Sequence, residues 1–155
     1  MKKKRSEVIL SLFIIVCLLF SFSGCFLIDR RSEDEKARSG VLFYMGIEVP
    51  MNARTVYHYE TGFRDYFQYS VFQFDSEPTD WLNENSFFIE KDESFEYKFN
   101  SLWEPWSSIK DAIPAQYQVM LDGTYWGLEK RNEEGDGFLV FLPNELRLIA
   151  YIVTY

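Results

Sequence analysis

The single histidine, His58, is the first residue in this sequence to consider for catalytic chemistry. It stands between Tyr57 and Tyr59, with the carboxylates of Glu60 and Asp65 close behind it in the chain. A histidine acts as a general base when a nucleophile lies within hydrogen-bond reach and an acid orients its ring. The sequence contains no Gly-x-Ser-x-Gly pattern that would identify such a nucleophile. A lone histidine among strand-forming aromatic residues is more often packed, so the sequence favours a structural role for His58.

Two clusters of carboxylates have the residue types that calcium prefers, but neither has the spacing of a known loop. They are Asp75, Glu77 and Asp80 in the first, and Glu133, Glu134 and Asp136 in the second. An EF-hand loop starting at Asn132 would need Glu at its twelfth position, where Pro143 stands. The first cluster is typical of a helix start and the second of an exposed hairpin loop. No metal is predicted, and the absence of glycine-rich phosphate loops predicts no cofactor.

Aromatic side chains make up 19% of the sequence and offer a different kind of site. Tryptophan and tyrosine rings can stack on a sugar or pack on a peptide at small entropic cost. The alternative is that they fill the core, and this accounts for most of them. The candidates for a surface that binds a protein or glycan partner are Trp103, Trp106, Tyr125 and Trp126.

The first 25 residues have the pattern of an export signal. The basic segment Met1–Arg5 precedes fifteen uncharged residues from Val8 to Phe22, and Ser23 and Gly24 lead to Cys25. The tetrapeptide Phe-Ser-Gly-Cys at 22–25 resembles the lipobox of bacterial lipoproteins, in which Leu is preferred at the first position. Signal peptidase II cuts such proteins before a cysteine that carries lipid.

This resemblance implies a signal peptide at residues 1–24 and a membrane attachment through lipid on Cys25. Phe26 is not the Asp that retains such lipoproteins in the inner membrane, so the resemblance implies the outer membrane in a cell that has one. An uncleaved anchor is the alternative, because the 21 uncharged residues 8–28 would span about 31 Å as a helix. Ordinary secretion would need an Ala-x-Ala-like site, which is missing. Because the basic residues precede the apolar run, the remainder is expected outside the cytoplasm with either the lipid or the anchor.

The net charge of the chain is −8, but the leader conceals part of the acidity. Without residues 1–24 the chain has 12 basic and 23 acidic residues, a net charge of −11. Residues 26–40 contain four of each sign, so residues 25–40 are predicted to be a lipidated cysteine and charged tether, and residues 41–155 a single acidic domain. Such a domain is expected to be repelled by nucleic acid and by anionic lipid headgroups, and to stand off the membrane. It would have no free thiol, since Cys17 leaves with the leader and Cys25 carries the lipid.

Apolar alternation and turn residues predict an α+β fold with an antiparallel sheet of about six strands and one or two short helices. Asp122-Gly123 is a signal for a type I′ hairpin turn, and Ser76, Pro78 and Thr79 are typical of a helix start. The second predicted helix spans 105–112. The candidate strands are 41–49, 55–59, 66–74, 116–121, 124–129, 138–142 and 146–154.

Two functional hypotheses follow from these features. The first is a membrane-tethered lipoprotein whose domain binds an envelope component without catalysing a reaction. The alternative is an acid-dependent hydrolase that acts on an envelope glycan or peptide. The domain has 19 acidic residues, so the sequence does not single out a catalytic pair.

Overall fold

In the computed structural model, the described residues are 31–62, 65–89, 93–101, 107–119, 121, 123–132 and 135–154. The chain divides into residues 1–30 and a compact unit, Arg31–Tyr155. Helices of this unit are α1 (Glu33–Gly40), a π-helical segment (Val41–Met45), α2 (Thr79–Glu84), α3 (Glu93–Ser101), α4 (Ser107–Ala112) and a 3₁₀ turn (Ala115–Tyr117). Its strands are β1 (Arg54–Thr61), β2 (Phe67–Gln73), β3 (Phe88–Ile89), β4 (Trp126–Asn132), β5 (Gly135–Leu142) and β6 (Arg147–Thr154).

The strands form one open antiparallel sheet in the order β1-β2-β6-β5-β4-β3. Five strands have seven or eight residues, whereas β3 contributes only two residues at one edge. The α+β class and the antiparallel sheet predicted from the sequence are therefore confirmed. The predicted count of about six is slightly high, because only five strands are of full length.

Both faces of the sheet are buried by helical layers, which explains the nearly continuous apolar sequence of β5 and β6. In β6, Leu148, Ala150 and Ile152 lie on one face, and Ile149, Tyr151 and Val153 lie on the other; all are at most 1% exposed. We call the two sides the α1 face and the α3 face. The α1 face is covered by α1, the π-helical segment, residues 46–53 and α2. The α3 face is covered by α3, α4 and residues 113–119 and 121.

Helix α1 and the π-helical segment correct two predictions, the tether at 33–40 and the strand at 41–49. Ser32 caps α1 in a capping box with Glu35, whose carboxylate accepts from the Ser32 backbone N–H at 2.7 Å. Ala37, Val41 and Met45 then recur every four residues, so that one side of the helix packs on the sheet. A run of apolar residues predicts a strand equally well, and here helical spacing and capping decide the conformation.

Arg38 of α1 forms hydrogen bonds with residues 49–53, the segment that leads into β1. Its guanidinium pairs with Asp34 at 2.7 Å and donates to the carbonyls of Val49 at 2.9 Å, Pro50 at 3.1 Å and Ala53. Burial would raise the pKa of Asp34, but hydrogen bonds from Arg38 and Thr55 outweigh it and hold that pKa below its ordinary value. The layer that the sequence assigned to a solvated tether is thus an integral part of the unit.

The segment between β3 and β4 also differs from its prediction. Residues 115–117 form a 3₁₀ turn in place of the predicted strand 116–121, and β4 pairs with β3 and β5. The predicted hairpin at Asp122-Gly123 is therefore wrong, and Asp122 itself lies outside the described residues. Helix α3 was not predicted; Phe95 and Phe99, four residues apart, bury their rings against Phe138 of the sheet. The other five predicted strands and both predicted helices correspond to β1, β2, β4, β5, β6, α2 and α4.

Candidate functional site

Two of the four aromatic residues predicted to form a binding surface, Tyr125 and Trp126, are buried. Tyr125 is 2% exposed and stacks on Phe95 on the α3 face, with ring centroids 5.5 Å apart. Trp126 is 8% exposed and belongs to the opposite, α1 face. The two rings are core residues on opposite sides of the sheet, so they cannot form one exposed platform. Trp103, Trp106 and the lipidation candidate Cys25 lie outside the described residues.

Other apolar side chains are exposed in their place. Phe43 is 76% exposed and its neighbour Leu42 is 52% exposed, both in the π-helical segment. Tyr97 on α3 is 75% exposed and Met51 is 81% exposed. Sequence reasoning missed Leu42 and Phe43 because it assigned them to the candidate strand 41–49. The signal that could have identified them is the spacing of Ala37, Val41 and Met45, which turns residues 42 and 43 away from the sheet.

The structure brings His58 together with a serine and an acid. His58 on β1 and Ser70 on β2 are register partners, and Nδ1 of the histidine lies 2.9 Å from the serine Oγ. The other ring nitrogen, Nε2, lies 3.6 Å from Oε2 of Glu60. Serine, histidine and carboxylate thus follow one another in the order that nucleophilic catalysis uses.

The nucleophile of this arrangement is closed off by helix α1. Ser70 is fully buried, and its Oγ accepts from the Gln68 amide at 2.9 Å, while the same amide donates to the Ala37 carbonyl of α1 at 2.9 Å. The Tyr66 hydroxyl donates to Oε1 of Gln68 at 2.9 Å, and burial raises the pKa of that hydroxyl, which keeps it protonated. The network therefore fixes α1 on the sheet, and a substrate could reach Ser70 only if α1 moved.

His58 is the one poorly satisfied member of this network. Its side chain is 1% exposed, and Nε2 has no hydrogen-bond partner among the described residues. Burial lowers the pKa of the imidazole below its ordinary value of 6.5, and the charge of Glu60 opposes that shift only in part. Protonation therefore places an incompletely compensated charge beneath α1.

We expect stability to fall when the pH is lowered from 7.5 to 5.5. The pKa of His58 is lower in the folded chain than in the unfolded chain, so the unfolded chain takes up the proton first as the pH falls. The free energy of unfolding therefore decreases once the pH drops below the unfolded-state pKa of His58, and it stops decreasing below the folded-state pKa. One titrating group can change the free energy of unfolding by at most about 1.4 kcal/mol per pH unit. Urea unfolding curves recorded at a series of pH values measure this dependence. His58→Gln should flatten the profile in this window, since the chain has no other histidine; an equally steep profile in that variant would assign the effect to other groups.

A cleft of about 280 Å³ lies between the C-terminal half of α1 and the β1–β2 hairpin; we call it the helix cleft. One wall of the cleft is a row of three aromatic rings. Phe43 packs edge-on against Tyr44, with ring centroids 4.9 Å apart, and Tyr44 stacks on Tyr66, with ring centroids 5.2 Å apart. Both signs of charge are present, and Lys36 lies 3.7 Å from Glu60. The lining residues are Arg31, Lys36, Ser39, Gly40, Phe43, Tyr44, Glu60 and Tyr66.

A larger cleft of about 360 Å³ lies beside the turn that joins β5 to β6; we call it the turn cleft. It includes Tyr125, one of the residues the sequence selected, although that ring contributes little exposed surface. Apolar lining comes from Val119, Leu121, Tyr125 and Leu142, and polar lining from Gln118, Thr124, Asn144 and Glu145. The exposed lining is therefore mixed, with slightly more polar than apolar surface, which suits a ligand that carries both kinds of group.

The wall formed by the β5–β6 turn is held in one conformation. Leu146 has a φ of 52°, an uncommon value for a residue other than glycine. The Gln73 amide donates to the carbonyls of Glu145 at 2.9 Å and Leu146 at 3.0 Å. Arg147 adds hydrogen bonds to the Glu145 carboxylate at 2.9 Å and to the Gln116 carbonyl at 3.0 Å. The turn is therefore preorganised, which lowers the entropy that a ligand would lose in ordering it.

Neither a metal centre nor a membrane span is found in the part of the chain that the structure describes. Within those residues, no three His, Cys, Asp or Glu side chains are grouped so that they could bind a metal ion. None of the described helices is both long enough and apolar enough to cross a bilayer.

Comparisons with known proteins give no family for the chain. No protein-family model, no curated protein and no solved structure matches it.

Proposed function

We propose that the chain is a lipoprotein attached to the cell membrane or outer membrane through lipid on Cys25, with residues 31–155 acting outside the cytoplasm as a non-enzymatic binding domain. The leader supports this proposal through its basic start, its apolar run and the lipobox-like residues 22–25. The compact unit begins only six residues after Cys25.

The turn cleft is the binding site that we propose for this domain. The observation that carries the proposal is the combination of apolar and polar lining with a wall fixed by Gln73 and Arg147. A sugar ring or an apolar side chain of a peptide would lie against Leu142, and its polar groups would meet the exposed Asn144. The ligand is thus a glycan or a protein segment from the envelope, and the acidity of the unit favours cationic protein partners.

A blocking substitution tests this site. Asn144→Trp places a large ring at the exposed rim of the cleft, so we expect at least tenfold weaker binding of any ligand that uses it. The probes are soluble peptidoglycan fragments and lysine-rich peptides, measured by thermophoresis against the lipidated protein. Asn83→Trp on the exposed side of α2 makes the same chemical change elsewhere and should bind as the wild type does. If neither probe class binds, or if Asn144→Trp binds normally, the turn cleft is not the site.

The lipid anchor has its own test. Cells fed a palmitate analogue should label the wild-type protein, and Cys25→Ala should abolish the label. Intact-mass analysis should show a chain that starts at residue 25 and carries lipid. A label that persists in Cys25→Ala would contradict the lipoprotein proposal, as would a wild type that is never labelled.

The second candidate function is an acid-dependent hydrolase of an envelope glycan or peptide. The sequence of groups Ser70, His58 and Glu60 favours it, whereas the position of Ser70 beneath α1 opposes it. Release of soluble fragments from peptidoglycan or casein, lost in both His58→Gln and Glu60→Gln while folding is retained, would establish hydrolysis. If the domain only binds its ligand, the wild type should release no more soluble fragments than the His58→Gln and Glu60→Gln variants do.

A further inference from the structure

The neighbouring residues Leu42 and Phe43 form an exposed apolar pair at the outer surface of the unit. Val41 and Met45, in the same π-helical segment, are buried against the sheet, so the pair projects from the opposite side. Phe43 continues the aromatic row of the helix cleft, where Tyr44 and Tyr66 follow it. Segments of π-helix are rare and are often found at functional sites.

The pair lies close to the proposed anchor along the chain. From Cys25 to Arg31 is six residues, which reach at most about 22 Å when fully extended. Helix α1 adds about 12 Å for its eight residues before Leu42 is reached. Since the lipid holds Cys25 at the bilayer, both side chains lie within reach of the membrane surface; this step rests on the proposed lipidation.

The segment that carries the pair has no net charge of its own. Residues 31–47 contain three basic and three acidic side chains, whereas residues 48–155 contain 8 basic and 19 acidic ones. The whole net charge of −11 therefore lies in residues 48–155. The expectation that the domain stands off the membrane applies to that acidic remainder and not to α1 and the π-helical segment.

We propose that Leu42 and Phe43 insert into the interfacial region of a zwitterionic lipid surface and orient the anchored unit on it. Aromatic and aliphatic side chains partition favourably into this region. In the adjacent helix cleft, Lys36 and Glu60 lie 3.7 Å apart as an ion pair, and docking would exchange this pair for contacts with the phosphate and the ammonium of a zwitterionic headgroup. The acidic remainder then points away from the bilayer, where the turn cleft can meet soluble partners.

Two side chains suffice because the lipid has already brought the unit to the surface. Insertion becomes an intramolecular step, whose effective concentration a short connection raises into the millimolar range. Burying one such side chain favours the docked state by a factor on the order of ten or more. The unit is therefore expected to dock when tethered and to bind vesicles only weakly when the lipid is missing.

A spin label at position 43 tests the docking directly. The mature lipidated chain has no free thiol, because Cys17 is removed and Cys25 is modified, so Phe43→Cys carries the only reactive one. The variant is expressed as full-length precursor, lipidated, labelled with a nitroxide and reconstituted into phosphatidylcholine vesicles. We expect collisions with an aqueous nickel chelate to be at least fivefold rarer than at Tyr97→Cys, a matched exposed position on α3, and collisions with oxygen to be more frequent.

The possible results separate the docking from the anchor. A lipidated protein whose label at 43 is as accessible to nickel as the label at 97 overturns the docking alone. Spin–spin broadening between labels at 43 means that a second copy of the chain covers the pair, and this also overturns it. Intact mass reads the anchor independently: a chain without lipid overturns both the lipoprotein proposal and the docking that rests on it.

Discussion

Replacing Phe138 with alanine is expected to lower the free energy of unfolding by about 3–5 kcal/mol, the usual cost of deleting a buried aromatic ring. Phe138 is completely buried on the central strand β5, on the face of the sheet that helix α3 covers. Its ring packs edge-on against Phe95 and Phe99, with ring centroids 5.5 Å and 6.0 Å apart respectively. Truncation leaves a cavity under α3 that a central strand cannot move to fill, so both the transfer free energy and the packing are lost.

Urea unfolding of the leaderless chain with Cys25→Ala, followed by tryptophan fluorescence, measures this cost. Tyr97→Ala is the matched control, because it deletes an aromatic ring from the exposed side of the same helix that covers Phe138. That variant should change stability by no more than about 0.5 kcal/mol. Similar losses in the two variants would mean that the α3 layer does not bury Phe138 in solution.

A methyl group added at Gly40 is expected to destabilise the unit by about 2–4 kcal/mol, although alanine is normally the better helix former by about 1 kcal/mol. Gly40 ends α1 with ordinary helical angles, φ −66° and ψ −45°. A Cβ there would lie 1.7 Å from Oε1 of Gln68, which is fully buried. The amide cannot rotate away without breaking its hydrogen bonds to Ala37 and Ser70, so the collision separates α1 from the sheet.

A double-mutant cycle provides the control for Gly40→Ala. Gln68→Ala removes the side chain that the new methyl group would strike. In that background, Gly40→Ala should be neutral or stabilising by up to about 1 kcal/mol, which makes the coupling between the two positions large and favourable. Additive losses would place the effect in the backbone at Gly40 and not in the contact with Gln68.

The central strands could be predicted because turn residues bound their short apolar runs, and the sheet buries both faces of those runs. In β6, every residue from Leu148 to Val153 is buried between two layers, and the turn signal at 143–145 favours a hairpin with β5 over a helix. The segment 41–49 is different, since a short apolar run satisfies a strand or a buried helix equally well. Ser32 and Glu35 have the spacing of a capping box, and this local signal for α1 was present in the sequence. It was outweighed by the mixed charges around it, which also suit a solvated tether.

The candidate sites depend on contacts between distant parts of the chain, which explains why little of them could be predicted. His58 and Glu60 could be selected by residue type, but Ser70 joins them only through the register of β1 on β2. Tyr125 was selected as an exposed ring and instead stacks on Phe95, in a helix that the sequence did not reveal. The wall of the turn cleft needs Gln73 to meet the carbonyl of Glu145 across the sheet. No spacing along the chain encodes that pairing.

The position of β6 in the sheet has a consequence for the time at which the unit can fold. Among the described strands it comes last along the chain, yet it lies between β2 and β5 and joins two hairpins that do not otherwise touch in the sheet. A chain that emerges with its N-terminus first therefore has two isolated hairpins until residues 147–154 follow. Hairpins of this kind are marginally stable in water, and closing the long loop from β2 to β6 costs entropy before any packing compensates for it. Such a polypeptide stays unfolded until residues 147–154 have been synthesised, and an unfolded chain is what the export that we propose would require.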